Sequence, residues 1–207
     1  MSAPTLPKHL SDLPIAGIIP FSATDWPGKL TITAFTQGCP LRCVYCHNAQ
    51  LQEFAPGAVG VDDLVGLARR RIGLIDAVVI SGGEPTAVPG LADAICRIHD
   101  LGLPVGLHTC GYAPKRLATL VSQPESRPDW IGLDIKALPR HMHEITGCSP
   151  RVAQSCWESL AIIDAVGIEV QTRTTLWPGS VIEQNLRELE VMVAAQGHEL
   201  VVQQARF

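Results

Sequence analysis

The chain has 207 residues, 46% hydrophobic and 17% charged, which suits one globular domain with a sizeable buried core. A net charge of −4 and a pI near 5.9 argue against a nucleic-acid surface and leave a small molecule or another protein as partner. No apolar run reaches the roughly 18 residues of a membrane span, and "MSAPTLPKHLSDLP", with three prolines, has no signal-peptide core. A cytoplasmic protein, free of membrane, is therefore expected.

Residues 1–14 read as a short surface arm and 15–207 as a single domain, without linker, repeat or low-complexity segment. The run "IAGIIPF" (15–21) and the turn-like "DWPGK" (25–29) predict a hairpin with the next strand, "KLTITAFT" (29–36). β-Branched runs then recur at 77–81, 104–109, 130–136, 168–175 and 198–204, alternating with amphipathic stretches. Several are apolar without a break, as in strands covered on both faces. A helix over 62–71 opens on Asp62 and Asp63 and ends in Arg69–Arg71, a charge order that suits the helix dipole; the arginines read as its solvated end. Another starts with Ser149 as cap and Pro150 as first residue, aligns Val152, Cys156, Leu160 and Ile163, and stops at Gly167. The last pairs Ser180 with Glu183 as a capping box before Ile182, Leu186, Leu189 and Val193, and closes at Gly197. Six β–α steps predict an α/β fold: a partial (β/α)6, TIM-like barrel with an N-terminal hairpin and arm.

In parallel α/β folds chemistry gathers at the carboxyl ends of the strands. Every unusual residue falls there: "TQGCPLRCVYCHN" after the first parallel strand, then "SGGEPT", "HTCG", "DIK" and "RTT". Cys39, Cys43 and Cys46 are spaced C-x3-C-x2-C, and the other four cysteines are scattered. Clustered cysteines in a chain without an export signal point to a metal or to catalysis rather than disulfides. Thiolates select zinc or iron–sulfur centres. Structural zinc wants four ligands, and His47, next to Cys46, is badly placed to be the fourth; a degenerate zinc knuckle is the bland alternative. A 4Fe–4S cube held by three cysteines leaves one iron open to an outside ligand. Gly82, Gly83 and Glu84 read as a close backbone approach beside an acceptor for an ammonium, or as a plain strand-to-helix turn. Cys96 and Cys156 read as small core residues; Cys110, at the rim, and Cys148, in a loop, read as inert thiols.

The cysteine triplet, with Tyr45 before its last member, resembles the radical S-adenosylmethionine superfamily, and "SGGEP" resembles that superfamily's Gly-Gly-Glu-Pro element. The wider set, "PFSATDWPGKLTITAFTQGCPLRCVYCHN" with "SGGEPT", "DWIGLDIKA", "ITG" and "RTT", looks like the activating enzymes of glycyl-radical enzymes, in particular the short activator of anaerobic ribonucleoside-triphosphate reductase. The resemblance covers most of residues 15–207.

It implies one 4Fe–4S cluster on Cys39, Cys43 and Cys46, with S-adenosylmethionine chelating the fourth iron, Tyr45 near the adenine, and Gly82, Gly83 and Glu84 at the methionine amino group. It also implies reductive cleavage of the cofactor to a 5′-deoxyadenosyl radical that takes hydrogen from a partner glycine, fed by a small electron donor such as flavodoxin. No catalytic side chain beyond cluster and cofactor is then required. Thr109, Asp134 and Lys136 match further cofactor-binding positions, with a cation possible near Asp134. His108 stands where a related activator has a second carboxylate, which puts that cation in doubt. Arg173 is a further contact for the methionine carboxylate, or a plain surface arginine; Asp134 and Lys136 also read as an ordinary rim ion pair. The competing readings are a radical enzyme acting on a small molecule, such as a deazapurine-forming synthase, and a non-catalytic metal-binding module.

Overall fold

A computed structural model describes residues 12–206. Among them seven strands form one sheet in sequence order: β1 (Ile15–Ser22), β2 (Thr31–Thr36), β3 (Ala77–Gly82), β4 (Val105–Thr109), β5 (Trp130–Asp134), β6 (Glu169–Leu176) and β7 (Leu200–Gln204). β1 runs antiparallel to β2, and each later neighbour is parallel. This is the expected partial barrel of six parallel strands led by a hairpin. Most of the arm expected over 1–14 lies outside the described residues. Its end does not stand off the surface, because Leu13 is buried in the main core and the Pro14 carbonyl accepts from Gln37 N–H at 2.7 Å.

The strands are apolar on both faces because both are covered. In β3, Val78 and Ile80 turn outward into the main core, with Ile32, Leu107, Ile131 and Leu133 from neighbouring strands. Burying each such aliphatic stabilises the fold by roughly 1.5–3 kcal/mol. The alternate residues, Ala77 and Val79, turn inward to a separate cluster with Trp26 and Trp130. Trp26 comes from the β1–β2 turn and fills the lumen from below, stacked on Trp130 with ring centroids 5.2 Å apart. Gly106 makes the room: a Cβ there would lie 2.8 Å from the Trp26 ring.

The outer layer comprises α1 (Val61–Arg70), α2 (Leu91–His99), α3 (Pro114–Ser122), α4 (Met142–Thr146), α5 (Pro150–Ala165), α6 (Val181–Gln184) and α7 (Leu186–Ala194). Two details depart from the sequence reading. Ser149 stands at the N-cap of α5, but its side chain makes no capping bond. The single helix expected after Ser180 is two, broken at Asn185 (φ −117°, ψ 16°), whose side-chain amide donates to the Val181 carbonyl. Ser180 Oγ accepts from Glu183 N–H at 3.1 Å, while the Glu183 carboxylate reaches Gly179 N–H instead of the cap residue.

The barrel does not close. Among the described residues β1 pairs only with β2, and β7 only with β6. Register places Ile19 beside Thr33 and Val79, and Val201 beside Arg173 and Asp134, so both face inward. Both are exposed, at 44% and 38%, because no described residue spans the gap between the two edges.

Candidate active site

β2 runs into the cysteine loop, which is cinched at its base. Gly38 N–H donates to Leu51 O at 2.8 Å and Cys39 N–H to Gln52 O at 3.1 Å, while the Gln37 side chain donates to the carbonyls of Gln50 and Glu53. The middle docks on α4 through Arg42 N–H to Thr146 O (2.8 Å) and Val44 N–H to Ile145 O (2.9 Å). The Arg42 guanidinium folds back onto the carbonyls of Cys39 and Leu41. From this compact loop Cys39, Cys43 and Cys46, each half-buried, line one cavity.

The end of β3 presses against that loop, and only glycine permits it. Gly82 has φ +121°, and a Cβ on it would lie 2.1 Å from Thr36 N; one on Gly83 would lie 2.3 Å from Gly38 O. The close approach that demands these glycines is thus to the cysteine loop, although both also line the cavity. Glu84 follows, 2% exposed. Its Oε1 accepts from Thr86 N–H (3.1 Å), Thr86 Oγ1 (2.6 Å) and Thr109 Oγ1 (2.5 Å), and its Oε2 from Cys110 N–H (2.8 Å). The carboxylate therefore ties the ends of β3 and β4 together. Oε2, with a single protein donor, keeps a lone pair for a ligand.

Across the cavity lies a charged group built by strand register. Asp134 pairs laterally with Arg173, and His108 with Gly132. Asp134 Oδ1 accepts from Arg173 at 2.9 Å, and Oδ2 from Lys136 Nζ at 3.0 Å. Arg173 is 7% exposed, so it is not a surface arginine. Its guanidinium lies flat over Gly132, where a Cβ would be 2.8 Å from Cζ. Burial alone would raise Asp134, but the Arg173 and Lys136 charges override it and hold the carboxyl well below the usual range. Burial likewise opposes the charge on Lys136, and Asp134 reverses this and raises it. Burial and the adjacent Arg173 charge lower His108 to about 4, so the imidazole is neutral at pH 7. The Asp25 carbonyl, 2.7 Å from Nε2, puts its proton there, and Nδ1 accepts from Ser81 Oγ at 3.1 Å.

The cavity, about 350 Å³, is lined by all eleven residues that the sequence singled out: the three cysteines, Tyr45, Gly82, Gly83, Glu84, Thr109, Asp134, Lys136 and Arg173. It also takes in Ser81, His108 and Cys110, and Gln203–Arg206 from the end of β7, which the sequence had shown only as a last strand and its exit. Cys110 is buried rather than rim-exposed, against Cys156.

Three thiols suit an iron–sulfur centre. Burial pushes Cys39 up to about 12 and also raises Cys43, so these thiols would become ligands only as a bound metal took the sulfur electron pair and the protons were released to solvent. Among the described residues no three His, Cys, Asp or Glu side chains converge on one point, as a single ion would require. A cluster bound through one cysteine per iron makes no such demand. Tyr45 packs against Trp177 at 5.5 Å, with Lys136 Nζ 5.6 Å from its ring centre. Among the described residues its buried Oη finds no partner at hydrogen-bond geometry, which leaves a polar atom that a ligand can satisfy. A ligand bearing a carboxylate, an ammonium and an aromatic ring fits the charges and the ring that the cavity presents.

The sequence profile of the Radical SAM superfamily matches residues 33–190. A putative glycyl-radical enzyme activating enzyme from Methanocaldococcus jannaschii is 27% identical over 179 residues, covering 84% of this chain and 73% of that one. A pyruvate formate-lyase-activating enzyme from Staphylococcus aureus is 31% identical over 153 residues, covering 69% and 59%. The chain thus spans under two thirds of the staphylococcal relative's length. Among solved structures, anSMEcpe with bound AdoMet is 14% identical with a TM-score of 0.64 and covers 82% of this chain and 49% of its own. Streptococcus suis SuiB bound to S-adenosylmethionine is 17% identical with a TM-score of 0.61, covering 82% and 39%. These two share the fold.

Proposed function

Because this chain belongs to the radical SAM superfamily, we propose that it activates a glycyl-radical enzyme, with anaerobic ribonucleoside-triphosphate reductase as the partner. The superfamily works with a 4Fe–4S cluster and S-adenosylmethionine. When bound and given one electron from a small donor protein such as flavodoxin, these supply a 5′-deoxyadenosyl radical, which takes a hydrogen atom from the partner's glycine. The chain's own residues bind and align. Cys39, Cys43 and Cys46 hold the cluster, Gly82, Gly83 and Glu84 serve the amino group, and Lys136 and Arg173 serve the methionine carboxylate. Tyr45 lies against the adenine, and Thr109 and Asp134 fix the geometry of the others.

The open barrel carries this reading over a small-molecule synthase. The cavity's outer wall is the end of the edge strand β7, which among the described residues pairs only with β6 and whose Val201–Gln204 are exposed. A polypeptide loop can approach such a wall, whereas a small substrate calls for an enclosed pocket. The motif set supports the reductase as partner; the staphylococcal relative's name supports a second, pyruvate formate-lyase. Anoxic cytoplasm is the setting that either requires, and no helix among the described residues is long and apolar enough to cross a membrane.

The test is anaerobic reconstitution with iron and sulfide, followed by a reductant and S-adenosylmethionine. Formation of 5′-deoxyadenosine, abolished in Cys43→Ala, supports the chemistry. One zinc per chain without sulfide overturns it. Adding each candidate partner and recording glycyl-radical electron paramagnetic resonance then decides between the two.

A further inference from the structure

The resemblance brings with it a metal cation beside Asp134, and the residues present do not suit one. Each oxygen of Asp134 already faces a fixed cation, Oδ1 Arg173 at 2.9 Å and Oδ2 Lys136 at 3.0 Å. The charge tally at this end of β5 is therefore one carboxylate against two fixed cations. The neighbouring position on β4, where a second carboxylate would favour a metal, is His108. Its Nε2–H is committed to the Asp25 carbonyl and its Nδ1 to Ser81 Oγ, so no lone pair is left to bind an ion. The Arg173 Nη1 lies 3.1 Å from that Nε2; with the proton on Nε2 this is a packing contact rather than a hydrogen bond, and a charged imidazole there would set two cations against each other. Glu84, the other carboxylate of the cavity, is engaged by Thr86, Thr109 and Cys110, and its spare lone pair, on Oε2, is the acceptor left for a ligand's ammonium.

We infer that Arg173, packed over the uncharged ring of His108 and fixed by Asp134, occupies the place of a metal cation, so that S-adenosylmethionine binds here without one. Arg173 is the charge-bearing group, and His108 is a positioning residue acting through it. A buried guanidinium can stand in for an ion because it keeps its charge; Nε and Nη2 hold Asp134, Nη2 also reaches the Gly132 carbonyl at 3.5 Å, and Nη1 keeps an N–H for a ligand. The register Asp134↔Arg173 and the missing Cβ at Gly132 leave it a single flat seat over β5.

This inference rests on the cofactor part of the function proposed above and not on the partner. A protein that binds S-adenosylmethionine but activates neither candidate partner would overturn that function and leave this inference standing. The experiment is equilibrium binding of S-adenosylmethionine to the cluster-loaded protein in chloride salts of potassium, sodium and tetramethylammonium at equal ionic strength, each with and without a divalent-metal chelator. The expected result is one affinity, within about twofold, in every buffer. Arg173→Ala is expected to bind at least ~tenfold more weakly, as for the loss of one charge-assisted hydrogen bond, and to recover with added guanidinium but not with potassium or sodium. His108→Gln, which keeps a neutral donor for the Asp25 carbonyl, is expected to retain affinity and cation independence. His108→Asp, which sets a carboxylate against Arg173, is expected to weaken binding. A wild-type affinity that falls about tenfold in tetramethylammonium and returns with a metal cation overturns the inference, as does rescue of Arg173→Ala by potassium or sodium. Unchanged binding by His108→Asp overturns the role of His108, and if Arg173→Ala fails to load its cluster, the wild-type salt series still decides.

Discussion

Glu84→Gln removes a charge and one acceptor from the knot that joins the ends of β3 and β4. In either orientation of the new amide, one backbone donor loses its partner. With the carbonyl toward Thr86 and Thr109, the amide NH2 faces Cys110 N–H, which now donates to Oε2 at 2.8 Å. Flipped, the NH2 faces Thr86 N–H, now on Oε1 at 3.1 Å, while the two hydroxyls can rotate to accept. A hydrogen bond to a charged group contributes ~1.5–3 kcal/mol, and an unsatisfied buried N–H costs a comparable amount, so the expected loss is about 3 kcal/mol. For a chain of 207 residues that lowers Tm by roughly 6–12 °C. The assay is thermal unfolding of metal-free protein without S-adenosylmethionine, followed by circular dichroism. The absence of cofactor is essential, because a residue that only binds ligand leaves the melting of the empty protein unchanged. A Glu84→Gln midpoint within about 1 °C of wild type would refute the argument that Glu84 holds the rim.

Three further outcomes follow from the same geometry. Gly83→Ala drives a Cβ to 2.3 Å from the Gly38 carbonyl, so the cysteine loop must shift; iron and sulfide bound after reconstitution should fall, and full loading would show that the loop yields freely. His108 is held neutral down to about pH 4 in the fold, against 6.5 when unfolded, so the unfolded chain binds the extra proton between those values. Its contribution to stability is complete above that window and is lost as pH falls through it, by at most ~1.4 kcal/mol per pH unit. Urea midpoints at pH 7, 6, 5 and 4 should decline less steeply in His108→Gln than in wild type, and identical slopes would contradict this. Trp26→Ala empties the lumen beneath the site and should cost about 3–5 kcal/mol in urea unfolding. Because Trp26 packs on Trp130 and not on the cysteine loop, cluster loading should persist at temperatures where the variant is folded.

Much of the fold was legible in the sequence because its signals are local. Each strand is a short β-branched run whose neighbours in the sheet are its neighbours in sequence, so order required no long-range inference. The cysteine triplet is likewise contiguous, and "SGGEP" and "DIK" fall at strand ends that any parallel barrel would bring to one rim. The break at Asn185 was not legible: Ile182, Leu186, Leu189 and Val193 keep helical spacing through it, and only the backbone dihedrals reveal the interruption. Nor was the burial of Cys110, since a residue following a strand end reads as exposed until α5 is seen packed beside it.

The sequence by itself thus determined the architecture, the cysteine loop and eleven of the residues around the cavity. Only the tertiary structure decided what those residues are committed to. Glu84 is a structural tie between strands as well as a ligand candidate, and Arg173 is a buried cation where a surface side chain was equally readable. The reason is distance along the chain. Glu84 and Thr109 are 25 residues apart, Asp134 and Arg173 are 39, and Asp25 and His108 are 83, so their charges and hydrogen bonds exist only once parallel register and an open lumen set them side by side.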